Sequence, residues 1–238
     1  MKVSDKLSDL YRDYYELGST VAAKREIAAR QSVDHLRALL PNTPYACVLD
    51  VGAGEGATLA EMARTGFATE LAAVEISDTG VAAIEARHLP TLRYARPFDG
   101  YHIEESDRAF TLGTAIHVLE HVEHERLFLS EISRVCDLVY VEVPIELNFR
   151  TGNAIRRGAP FGHINFYTPT TFRNLLQTSG LDVVTMRLFA NSRAYEVFAA
   201  GPVKGSVKWA IRSSVLAMTP LAPWVMTYLA GAVCRRSA

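Results

Sequence analysis

An apolar strand that runs straight into a glycine loop, Val48-Leu49-Asp50-Val51-Gly52-Ala53-Gly54-Glu55-Gly56, constrains the fold more than any other stretch. Alternate glycines let the backbone turn sharply and let a ligand approach with no Cβ in the way. A tight turn alone would also use them. Roughly 20 residues on, however, Glu75 ends the next apolar run, where an acid can accept from both hydroxyls of a ribose. Together the two features predict a nucleoside-binding β-loop-α unit.

Charge narrows the nucleoside. A pyrophosphate favours bare amides and a helix dipole, whereas Asp50 and Glu55 put two acids in this loop. They suit a ligand carrying an ammonium and a sulfonium and no phosphate. The third glycine also comes one residue earlier than in the dinucleotide pattern, which makes a nicotinamide enzyme the weaker reading.

Further apolar runs at Leu71–Glu75, Thr91–Ala95, Ala109–Ala115 and Leu138–Val143 alternate with helical stretches at Asp78–Arg87 and His117–Val135. Such alternation predicts a parallel sheet. Residues 5–40 have helical periodicity up to Pro41 and Pro44, giving an N-terminal helical cap over 1–44 ahead of the main domain at 45–202. Thr168-Pro169 starts a helix that Gly180 ends. Leu181–Phe189 and Arg193–Ala200, joined by Ala190-Asn191-Ser192, read as a closing antiparallel hairpin. The 238 residues carry a net charge of −1, which gives no overall basic footprint for nucleic acid. Three scattered cysteines without metal-ligand spacing, and no apolar signal segment, point to a reducing cytoplasm.

The order of the glycine loop, Val74-Glu75-Ile76, His117-Val118-Leu119-Glu120-His121-Val122 and Gly162-His163-Ile164-Asn165-Phe166-Tyr167-Thr168-Pro169 resembles the class I S-adenosylmethionine methyltransferases, in their small-molecule branch. The resemblance spans about residues 45–200. It implies a Rossmann-like α/β fold, with a seven-stranded, mostly parallel sheet, an antiparallel closing hairpin and flanking helices. A C-terminal helical appendage follows over 203–238. It further implies S-adenosyl-L-methionine as cofactor, with Asp50, Gly52, Ala53, Gly54 and Gly56 at its methionine end and Glu75 on the ribose. Ile76 and Asp99 would meet the adenine, and Ala115, Ile116 and His117 would line the floor beneath the methyl group. For Ile76, plain core packing is the alternative.

Methyl transfer is an in-line displacement, so the protein's work is alignment, desolvation and removal of a proton from the acceptor. A hydroxyl acceptor wants a base, and His163, His117 and His121 are the candidates because imidazole titrates near neutral pH. His163 equally suits a post that holds its loop. The expected acceptor is a small molecule, natural product, glycan or lipid-linked compound methylated on a hydroxyl or amine. Phe149–Tyr167 mixes Arg150, Arg156 and Arg157 with aromatic residues, which suits an acidic acceptor or, equally, a solvated surface. The Asp/Asn-Pro-Pro-aromatic tetrapeptide of nucleobase methyltransferases is missing after the fourth strand, so no nucleic acid partner is expected.

His117-x-x-Glu120-His121 also matches the inverted zinc-protease pattern, which would make the chain a hydrolase. No third ligand follows from spacing, and no metal is expected. A catalytically silent cofactor-binding relative is the other alternative. From Val203 onward, Lys204, Lys208, Arg212, Arg235 and Arg236 stand without an acid, so that segment is +5 and residues 1–202 carry −6. Ser213–Cys234 is uncharged, with Pro220 and Pro223 in its middle. This tail reads either as a helical appendage packed on the domain or in a homodimer, or as a peripheral membrane contact with Trp224 and Tyr228 at headgroup depth.

Overall fold

The computed structural model describes residues 19–149, 151–152, 155 and 162–237. Arg150, Arg156 and Arg157, and residues 5–18 of the expected first helix, lie outside them. The described chain runs α1 (Ser19–Leu39), β1 (Tyr45–Val51), α2 (Ala57–Arg64), β2 (Ala68–Glu75), α3 (Asp78–Glu85), β3 (Leu92–Pro97) and β4 (Phe110–Ile116). It continues through a 3-10 turn (Leu119–His121), α4 (Glu125–Val135), β5 (Cys136–Ile145), α5 (Pro169–Thr178) and β6 (Leu181–Phe189). The last elements are α6 (Arg193–Ala200), α7 (Pro202–Met218), α8 (Ala222–Val225) and β7 (Tyr228–Arg236).

The seven strands form one sheet in the order β3-β2-β1-β4-β5-β7-β6. β1 to β5 are parallel to one another, while β7 runs antiparallel to β5 and β6. Successive residues of β1 point to opposite faces, as a pleated strand requires. Val48 joins a core with Leu36, Leu59, Met62 and Ile84 of α1–α3, and Leu49 joins one with Phe128, Ile132, Phe172 and Leu176 of α4 and α5. Both faces are therefore covered, which is why the central strands read as unbroken apolar runs. Because the strand order reverses between β1 and β4, a crevice opens at their carboxyl ends.

The sheet closes with antiparallel strands as expected, but the structure corrects which residues form the second of them. Arg193–Ala200 is a helix, and Ser192, read as a turn residue, is its N-cap, accepting from the Tyr195 amide at 3.1 Å. The antiparallel partner of β6 comes instead from Tyr228–Arg236, so 203–238 is not wholly a helical appendage and its last part belongs to the sheet. The uncharged run Ser213–Cys234 is divided. α7 ends at Met218 ahead of Pro220, the short α8 follows, and from Tyr228 the run enters a strand whose first seven residues are buried. Tyr228 is 1% exposed, inside the fold rather than at a headgroup, and donates to the Arg212 carbonyl at 3.1 Å. Among the described residues no helix is long and apolar enough to cross a membrane. β7 also packs closely: a Cβ on Gly231 would lie 2.6 Å from the Tyr140 hydroxyl.

Candidate active site

The glycine loop is fixed from the end of β2. The Gly52 amide donates to the Val74 carbonyl at 2.8 Å, and the Gly54 amide to Glu75 Oε2 at 2.8 Å. Gly52, Gly54 and Gly56 all have positive φ. At Gly52 a Cβ would lie 2.7 Å from Val118, so only glycine lets the loop pass the turn that follows β4. Glu75 Oε1 accepts from the Ser77 amide at 3.1 Å. Burial pushes the Glu75 carboxyl up, against the Gly54, Ser77 and Ile76 amides that favour its charge.

Asp50 sits deeper than a residue that simply lines a loop. It is 3% exposed, and its Oδ1 accepts from the Thr114 hydroxyl across β1 and β4 at 2.7 Å. Burial first, with the charge of Glu75 adding and Thr114 opposing, pushes its pKa up to about 7. Glu55 does not leave a bare acid in the loop, because Arg25 of α1 pairs with it. Arg87 Nε donates to the Glu55 carbonyl at 2.6 Å, so two arginines clamp the loop from outside.

Ile76 is partly exposed at the end of β2, and Asp99 lies exposed beyond β3. Asp99 Oδ1 caps its own turn, accepting from the Tyr101 and His102 amides at 2.8 and 2.7 Å. A groove of about 390 Å³ lies here, lined by Val74, Tyr94, Phe98, Asp99 and Ile103 among others, but not by the glycine loop. Ala115 is fully buried under the crevice, and Ile116 partly so.

After β4 the chain does not start a helix, as expected at His117, but turns. His117 adopts φ 57°, a left-handed conformation costly for a residue with a Cβ. Its amide donates to the Glu142 carbonyl at 2.9 Å, and its ring lies between two acids, with Nε2 3.5 Å from Glu142 Oε1 and Nδ1 3.4 Å from Glu120 Oε1. Burial works to lower the His117 pKa, but the hydrogen bond with Glu120 and the charges of Glu120, Glu142 and Glu146 outweigh it and leave it raised. The zinc-protease geometry, two histidines one turn apart on a helix, is not formed: His117 precedes the 3-10 turn Leu119–His121, and α4 starts only at Glu125.

His163 and His121 meet edge to face, 4.8 Å between ring centres. His121 Nδ1 lies 3.1 Å from the Gly162 carbonyl, and His163 Nδ1 2.9 Å from Glu146 Oε2. Burial lowers the His121 pKa. That of His163 is raised because Glu146 and Glu120 outweigh its burial. A latch holds the two segments together: the Ile164 and Asn165 amides donate to the Glu120 carbonyl, and the Asn165 side chain to the Leu119 and Val122 carbonyls.

The match to known proteins now decides the family. Residues 23–186 match the model of the family described as "Methyltransferase domain". The chain belongs to this methyltransferase family. Its cofactor is S-adenosylmethionine. The methyltransferase is 28% identical over 192 residues to the trans-aconitate 2-methyltransferase of Deinococcus radiodurans, covering 73% of this chain and 71% of that one. It shares its fold with geranyl diphosphate C-methyltransferase from Streptomyces coelicolor A3(2) at TM-score 0.59 and 16% identity, over 81% of this chain and 70% of that one. It shares it also with the [4+2]-cyclase SpnF at TM-score 0.61 and 18% identity, over 87% and 83%.

Sequence reasoning missed one part of the methyltransferase's crevice. Glu142 of β5 is fully buried and accepts from Ser32 at 2.6 Å and Tyr140 at 2.7 Å, with His35 Nδ1 at 2.9 Å. Burial opposes its ionisation, but His35, His117 and Ser32 hold its carboxyl below the usual range. His35 in turn stacks on Phe189 at 4.0 Å. The available signal was an acid inside the apolar run Leu138–Val143.

Proposed function

We propose that this methyltransferase moves the methyl group to an oxygen of a small acidic acceptor, with His117 taking the proton when that oxygen is a hydroxyl. The observation that carries the reading is the left-handed backbone of His117 at the end of β4, which aims its imidazole between Glu120 and Glu142 beside the glycine loop. Strain of this kind persists only where the surroundings over-determine it, and it clusters at functional sites. The two acids keep the ring basic and fix its orientation, as a general base requires. His121 and His163 flank it as acceptor contacts.

The donor set suits the cofactor. Glu75, buried and already facing the Gly54, Ser77 and Ile76 amides, has a lone pair left for the ribose hydroxyls. Asp50, costly to ionise in isolation, is relieved by a cationic ligand, and the Gly52–Gly56 loop with Ala53 gives the methionine end its room. Ile76 and Asp99 lie where the base would pack, and Ala115 and Ile116 form the floor. When bound, the cofactor supplies a sulfonium methyl with a neutral leaving group. An acidic acceptor agrees with the name of the Deinococcus relative, since trans-aconitate is a small carboxylic acid. The test is turnover of a panel of hydroxy acids and carboxylic acids by the parent and by His117→Ala. A parent active only on amines, or a variant of unchanged rate on hydroxy acids, overturns the reading.

A further inference from the structure

We infer that Glu120, His121 and His163 form a binding site for a borderline divalent cation of the zinc class. An open coordination position would receive an oxygen of the acceptor, a role that rests on the methyl-transfer reading above. One donor atom from each of the three residues lies within 4.8 Å of the others. Glu120 is 1% exposed, and its Oε2 has no hydrogen-bond partner among the described residues, although its Oε1 faces His117. A buried carboxylate oxygen is rarely left so, because the loss of solvation goes uncompensated.

The histidines are set up as ligands. With Nδ1 donating to the Gly162 carbonyl in His121, and to Glu146 Oε2 in His163, the lone pair of each ring falls on Nε2. A carboxylate or carbonyl behind a metal-binding imidazole is the usual outer support of such a ligand. The latch from Ile164 and Asn165 to residues 119–122 holds His163 beside Glu120 without any ion. Tetrahedral zinc with bonds of about 2.0–2.2 Å sets its ligand atoms about 3.4 Å apart. The site therefore closes by up to about 1.4 Å on loading, within reach of side-chain rotation.

Two imidazoles and one carboxylate disfavour magnesium and calcium, which take oxygen ligands, and suit zinc, cobalt and nickel. Three protein ligands among the described residues leave a position open, and an acceptor carboxylate or alkoxide is the ligand that completes it. His121 and His163 are then occupied by the ion, and His117 remains the imidazole able to take a proton. The sequence motif pointed to His117 and His121 as the metal pair. The structure replaces His117 with His163, 42 positions beyond His121.

The experiment uses the full chain, stripped with a chelator and titrated with Co2+, whose d–d absorption reports nitrogen and oxygen ligation at low coordination number. One Co2+ per chain is expected, displaced by Zn2+. Affinity falls about 100-fold or more in Glu120→Gln and His163→Gln, about 10-fold in Glu146→Gln, and not at all in the control His88→Gln. No visible band in the parent, or the same band in His163→Gln, overturns the site. Each sample is also titrated with S-adenosylhomocysteine, which checks the fold of the variants. Binding of S-adenosylhomocysteine without Co2+ sinks the cation site alone. Co2+ binding without S-adenosylhomocysteine leaves the site standing and removes the methyl-transfer reading.

Discussion

The two halves of the sheet place their candidate site groups by different means. On the β3-β2-β1-β4 side, the groups sit on adjacent parallel strands and the loops that leave them: the contact from Gly54 to Glu75 bridges 21 residues, and that from Thr114 to Asp50 joins neighbouring strands 64 residues apart. On the β5-β7-β6 side the groups are assembled from afar. Ser32 reaches Glu142 across 110 residues, and Asn165 reaches Leu119 across 46. The near half is set by the register of neighbouring strands, whereas the far half depends on how distant segments dock. Acceptor choice is expected to change most easily there.

The largest test of this contrast removes β7. Deleting residues 227–238 strips the strand between β5 and β6, and the protein is expected to lose its cooperative thermal transition altogether. A truncated chain that still melts cooperatively and binds S-adenosylhomocysteine would show that the near half stands alone. Next, Glu75→Ala removes a charged acceptor from two hydroxyl bonds at about 1.5–3 kcal/mol each, a loss of about 100-fold or more in cofactor affinity by calorimetry. His117→Ala should lower turnover on a hydroxyl acceptor about 100-fold with cofactor affinity unchanged. In the parent, turnover should fall as pH drops through a pKa above the ordinary imidazole value, because the base is then protonated.

Asp50→Asn has an effect of definite sign. The folded-state pKa of Asp50 is raised to about 7, so the native protein holds this proton more tightly than the unfolded chain. The stability that results is complete below the ordinary carboxylate range and is lost as pH rises through about 7. The asparagine variant, without cofactor, should therefore lie close to the parent at pH 4 and exceed it at pH 8 by on the order of 4 kcal/mol in denaturant melts. Equal stability at pH 8 would mean that Asp50 is not costly to ionise. The smallest effect lies on the outer face of α7 and α8. Met218→Ser and Trp224→Ser, at 81% and 57% exposure, should shift stability by no more than about 0.5 kcal/mol. If this basic, apolar face meets a membrane surface, the same pair abolishes salt-sensitive co-sedimentation with anionic vesicles.

Legibility followed the same division. β1 to β5 and β6 could be read because buried strands alternating with helices leave a periodic trace, and the glycine loop with Glu75 because its chemistry lies in consecutive residues. Arg193–Ala200 misled because an eight-residue stretch after Ala190-Asn191-Ser192 suits a hairpin as well as a capped helix. β7 was hidden for a different reason: Tyr228–Cys234 is a continuous uncharged run, and a strand buried on both faces cannot be told from a helix by periodicity. The pairing of His163 with Glu146, and of Glu142 with α1, leaves no local pattern at all, since each depends on a docking that sequence spacing does not encode.

The position of β7 has a consequence for how the chain is made. While residues 146–227 emerge from the ribosome, β5 exposes an unpaired edge and β6 has no neighbour to join, so the sheet cannot be completed in the order of synthesis. Both edges wait for a strand made later than either. Nascent chains in that interval carry two open hydrogen-bonding ladders and the apolar faces beside them, the features that recruit chaperones or promote aggregation. Slow translation through α7 would lengthen this exposure without altering a single contact of the finished protein.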